Sequence, residues 1–125
     1  MILDTIKDTL ETLASDPEYP MSGGVFYGVC NVNSLEEWNY FVFNRRRVLY
    51  TNHKSYTDIF EVHAVHEDYI AEGYELEIVK AFKNALPGCS LSEEITYDYS
   101  TKSDSNVVVE ICTLTFKCAK KVEDG

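Results

Sequence analysis

The chain has 125 residues, 45% of them hydrophobic, which is the size of one domain and enough to bury a core without staples. Its 21 acidic against 11 basic side chains leave a net charge of −10, which argues against broad nucleic-acid binding by phosphate neutralisation. Met1-Ile2-Leu3 runs at once into Asp4, Lys7 and Asp8, so it is not the apolar centre of a signal peptide or membrane span, and the chain reads as a soluble, cytoplasmic protein.

Ile2, Leu3, Ile6, Leu10 and Leu13 recur at three- and four-residue intervals and predict an amphipathic helix over residues 2–14, ended by Pro17 and Pro20. Ser22-Gly23-Gly24 then supplies a turn, and residues 25–32 form a strand. Gly23-Gly24 is too little for a phosphate loop, because no Lys-Ser/Thr or dinucleotide fingerprint follows. Ser34 and Glu37 fit a capping box for one helical turn at most. Two adjacent antiparallel strands follow, an aromatic one over 38–46 and a second over 55–66, joined by a turn near Arg47–Lys54. Both faces of the second carry apolar residues, which suits an internal strand with one face under helices and the other partly covered.

Leu76, Ile78, Val79, Phe82, Ala85 and Leu86 make a second helical stripe, with Glu72, Glu75 and Glu77 near its start and Pro87-Gly88 as its stop. Residues 94–100 and 107–118 predict a long hairpin across the polar link 101–106, whose tip has no apolar anchor and is expected to order on contact with a partner. The predicted fold is α+β: an antiparallel β-sheet of about five strands with both helices on one face, in the order α-β-β-β-α-β-β, as a single domain over 1–125.

Candidate chemistry is sparse. His63 and His66, with Glu61 and Glu67, are the nearest approach to a metal or acid–base cluster, but residues three apart on a strand face opposite ways, which leaves two ligands without a third. His53, Ser55 and Asp58 offer the residue types of a hydrolase triad without a nucleophile elbow or oxyanion-hole motif. Cys30, Cys89, Cys112 and Cys118 lack zinc spacing. Cys112 and Cys118 lie about 20 Å apart along one strand, so all four read as reduced thiols acting as small hydrophobes. Trp38, Tyr40, Phe41, Phe43, Tyr56 and Phe60 read as core or subunit interface, with a ligand pocket as the alternative. No cofactor, metal, membrane or specific nucleic acid is called for.

Charge is unevenly spread. Arg45, Arg46, Arg47 and Lys54 occupy a stretch, 45–54, with no carboxylate, which reads first as a solvated hairpin turn and otherwise as a contact for an acidic partner or a neighbouring acidic subunit. Lys102, Ser103, Asp104 and Ser105 form the second candidate interface, in the hairpin link.

The chain resembles the small tail-completion proteins, tail terminators and head-to-tail joining proteins, of phages and prophages with long non-contractile tails. The resemblance is carried by Phe41-Val42-Phe43-Asn44-Arg45, by Ser55-Tyr56-Thr57-Asp58-Ile59-Phe60-Glu61-Val62-His63, by the helix 75–86, and by Tyr97-Asp98-Tyr99 with Val107-Val108-Val109-Glu110-Ile111. It implies a non-enzymatic subunit that forms a homo-oligomeric ring, usually a hexamer, on the end of a tail tube. Its partners would be the major tail-tube protein and the head connector. No catalytic residue is implied. The alternative function is a small-ligand-binding or regulatory α+β domain with an aromatic pocket.

Overall fold

Both helical stripes and the long alternating strands form as their periodicity requires. The computed structural model describes residues 2–19, 21–29, 38–52, 55–91, 94–102 and 105–121. In chain order the elements are α1 (Ile2–Ala14), β1 (Gly24–Tyr27), β2 (Tyr40–Asn52), β3 (Ser55–Glu67), α2 (Tyr74–Ala85), β4 (Cys89–Leu91), β5 (Thr96–Thr101) and β6 (Val108–Lys121). The α+β class is as the sequence implies. No helix among the described residues is long and apolar enough to cross a membrane.

The core lies between one face of the sheet and both helices. Antiparallel register lines up Phe41, Ala64 and Cys112 in one row and Phe43, Val62 and Leu114 in the next, with Phe60 opposite Phe116. Against this face pack Ile6 and Leu10 of α1 and Tyr74, Ile78 and Phe82 of α2. The Phe82 and Phe116 rings lie 4.7 Å apart. Removing each such side chain from water stabilises the fold by roughly 1.5–3 kcal/mol, which makes this layer the dominant favourable contribution.

The sheet differs from expectation in two respects. It has six strands among the described residues, in the order β1-β2-β3-β6-β4 with β5 also paired to β6, and β1 runs parallel to β2. A parallel neighbour needs a longer connection than a tight turn, and 12 residues separate the end of β1 from the start of β2 in the sequence. β1 also stops at Tyr27, where Gly28 takes φ +82° and donates its N–H to the Phe43 carbonyl at 2.9 Å. The rest of the expected strand, Cys30–Val32, and the Ser34–Glu37 capping box lie outside the described residues. The sixth strand, β4, is too short to show periodicity and exists by pairing with residues 116–118 of β6.

That pairing overturns the reading of all four cysteines as reduced. Cys89 stands directly opposite Cys118, Cα atoms 4.2 Å apart, and the two form a disulfide. Cys112 is a free, buried thiol, pushed up to about 11 mainly by burial; Cys30 lies outside the described residues.

The two adjacent glycines do different work. Gly23 packs so tightly that a Cβ would sit 2.8 Å from the Asn39 carbonyl oxygen, and Gly24 takes φ +96°, which side-chain-bearing residues rarely adopt. Together they place β1 alongside β2.

Candidate functional site

The segment expected as a basic turn is strand. β2 and β3 pair from Tyr40↔Val65 out to Asn52↔Ser55, with register shifts at Arg45/Arg47 and Tyr50/Asn52. Arg46 is the extra residue at the first shift, without a β3 partner. Beyond it the pair continues as an arm, with β3 backed by residues 117–121 of β6 and β2 on the outer side. Val48 is 56% and Tyr50 66% exposed, with exposed Leu49 between them. Arg45, Arg46 and Arg47 are all exposed, and among the described residues no ion pair or side-chain hydrogen bond engages their guanidinium groups. Lys54, like His53, lies outside the described residues.

The second candidate interface is more constrained than the sequence suggests. Lys102 Nζ is 2.6 Å from Glu67 Oε1, and Glu67 also accepts the Trp38 backbone N–H at 3.0 Å. These hydrogen bonds hold the Glu67 carboxyl below its ordinary pKa. The Ser105 hydroxyl donates to the Lys102 carbonyl and accepts the Val107 N–H. The flank of the tip thus carries a polar anchor where the sequence offered no apolar one: Lys102 is engaged by Glu67. Ser103 and Asp104 lie outside the described residues.

His63 and His66 point to opposite faces, as strand geometry demands. His63 lies on the face away from the helices, its Nε2 3.1 Å from Asn44 Oδ1 and its Nδ1 2.9 Å from Thr113 Oγ1. Asn44 Nδ2 donates to Glu61 Oε1 at 3.2 Å, which fixes the amide so that its oxygen faces the ring. His63 Nε2 is then the donor, and the Thr113 hydroxyl donates to Nδ1. Burial lowers the His63 pKa, opposed by Glu61 and Asp98, so the ring is neutral and satisfied. This is a structural network. No group of three metal-ligating side chains occurs among the described residues. Ser55 and Asp58 fall on opposite strand faces and form no triad.

The aromatic set splits. Phe41, Phe43 and Phe60 are buried in the core, as read. A cavity of about 300 Å³ is instead walled by tyrosines that sequence reasoning passed over: Tyr19 from the α1–β1 connection, and Tyr69 and Tyr74 from the turn into α2. Asn39 and His66, at the start of β2 and the end of β3, also line it. The turn is held by Glu110, which is 9% exposed and accepts the Ile70 N–H at 2.9 Å. Asp68 enters it at φ 66°, a conformation that Asp tolerates better than most residues. Tyr19 and Tyr74 meet with ring centroids 5.1 Å apart, and the Tyr74 hydroxyl is buried with no hydrogen-bond partner among the described residues. The signals available were Tyr19 between two prolines and Tyr69 and Tyr74 flanking Ile-Ala-Glu-Gly, none of which has a spacing that predicts convergence.

No protein-family model and no curated protein matches the sequence. Among solved structures 27 chains match. One of them, whose designation names no function, aligns with a TM-score of 0.48 and 13% identity over 98% of this chain and 96% of its own.

Proposed function

We propose that this protein is a non-enzymatic assembly subunit of a long-tailed phage or prophage, forming a ring at the end of the tail tube that terminates it or joins it to the head connector. Six copies is the number the family resemblance implies. The observation that carries the reading is the β2–β3 arm: exposed Val48, Leu49 and Tyr50 and three disengaged arginines on a chain of net charge −10. An arm that is both apolar and basic, on an acidic body, suits a neighbouring acidic copy better than it suits solvent. Self-repulsion among acidic monomers restrains assembly until a tube end supplies the missing surface. The same acidity keeps passing DNA from adhering. Synthesis and assembly would take place in the host cytoplasm, with the finished subunit in the virion tail or neck.

The test is molar mass by light scattering over a concentration series, alone and with purified tail tubes. Ring-sized species, or tubes capped at fixed length, are expected. A strict monomer indifferent to tubes would sink the reading in favour of a small-ligand domain, which the tyrosine-lined cavity favours and which ligand-induced thermal stabilisation would reveal.

A further inference from the structure

We propose that the tyrosine-walled cavity receives an arginine side chain from the β2–β3 arm of a second copy of this chain, in a head-to-tail contact; the inference rests on the assembly reading and names its docking surface. The cavity's chemistry selects a planar cation. Tyr19, Tyr69 and Tyr74 present aromatic surface, and Glu18 lines the same cavity. Aromatic faces attract cations, and a guanidinium both stacks on rings and donates in its own plane, which an ammonium cannot do. The buried Tyr74 hydroxyl, without a partner among the described residues, is an acceptor for such a donor. The surroundings are negative as well: Glu18, burial, Glu77 and Asp16 all raise the Tyr19 pKa, and Asp16 adds to burial in raising that of Tyr74. Neither lysine nor arginine is among the described lining residues.

The chain cannot fill this cavity from its own arm. Asn39 lines the cavity, while Arg45 to Arg47 lie six to eight residues further along the same strand, roughly 20–26 Å away. Socket and arm thus occupy opposite ends of β2 and β3. A contact between unlike surfaces at opposite ends is heterologous, and repeated it makes a ring where the rotation closes and an open filament where it does not. Arg46 is the first candidate, because the register shift frees it from pairing with β3.

Two variants of the full chain separate the outcomes. An arm variant carries Arg45→Ala, Arg46→Ala and Arg47→Ala, and a socket variant carries Glu18→Lys, an exposed position whose change leaves the core intact. Self-association by light scattering, with tail tubes where tubes are needed, should weaken about tenfold or more in each variant alone. Mixed in equal amounts, the two should form a heterodimer that grows no further, since only one intact arm and one intact socket remain. Tyr74→Phe should weaken association without unfolding. If wild type assembles and the arm variant, the socket variant or both assemble equally well, the docking is overturned and the assembly reading stands. Independent loss in both variants with no heterodimer on mixing also overturns it. A wild type that never associates overturns the assembly reading, and this contact with it.

Discussion

The two halves of the β2–β3 hairpin have the same secondary structure and opposite surroundings. From Tyr40 to Asn44 and Phe60 to Val65, alternate side chains are sealed beneath α1 and α2 or tied into the Asn44–His63–Thr113 network. From Arg45 to Tyr50 every residue is exposed. One half is held by what the chain itself packs on it; in the other, β3 is backed by β6 while β2 from Arg45 to Tyr50 offers its side chains outward. Substitutions in the first half should therefore be read out as stability, and in the second as association.

Phe82→Ala offers the sharpest contrast. It removes the ring that meets Phe116 at 4.7 Å and should cost about 3–5 kcal/mol, measured by urea denaturation. Breaking the Cys89–Cys118 bridge with reductant, or by Cys89→Ala, releases a 29-residue separation and should cost about 3–4 kcal/mol in the chain-entropy account. A melting temperature unchanged by reductant would show that β4 is held by its ladder alone. Gly23→Ala forces a Cβ to 2.8 Å from the Asn39 oxygen and should cost about 1–3 kcal/mol, with β1 losing amide-exchange protection first.

Smaller effects come from the polar face. Burial depresses the His63 pKa below 6.5, so the ring is neutral when folded, whereas the unfolded chain takes up the proton as pH falls through that value. Its contribution is thus complete above about pH 6.5 and declines below it, towards the lower folded pKa. Thermal melts of wild type and His63→Asn at pH 7.5 and 5.5 should show the steeper drop in wild type; equal drops would remove His63 as the cause. Smallest of all, the triple arginine-to-alanine change in the arm should shift stability by no more than about 0.5 kcal/mol while weakening association. A large loss of stability there would erase the distinction between the halves.

Periodicity carried the parts of the fold with long runs of one pattern. α1 from Ile2, Ile6 and Leu10, α2 from Ile78 and Phe82, and β3 from Phe60, Val62 and Ala64 all lie where spacing placed them. What spacing could not show depends on partners distant in sequence. β4 has three residues and is defined by facing Cys118, so neither the strand nor the disulfide had a local signature. The parallel set of β1 depends on a longer connection than a tight turn and on the fit of Gly23 against Asn39. The basic segment was legible as composition, but its extension as strand was not, because three consecutive arginines resemble a solvated turn. The cavity was not legible at all: Tyr19, in the α1–β1 connection, and Tyr74, at the start of α2, meet only in the folded chain.

The Cys89–Cys118 bridge has a consequence for the order of events in the protein's life. Glutathione and thioredoxin keep thiols reduced in a cytosol, whereas an extracellular medium lets them oxidise. The two sulfurs face one another across a formed ladder, so the folded chain holds them ready before any oxidant arrives. The same polypeptide would then have two grades of durability: a more yielding form in a reducing compartment, and a cross-linked form in an oxidising one. Toughness would come with oxidation alone, with no further alteration of shape.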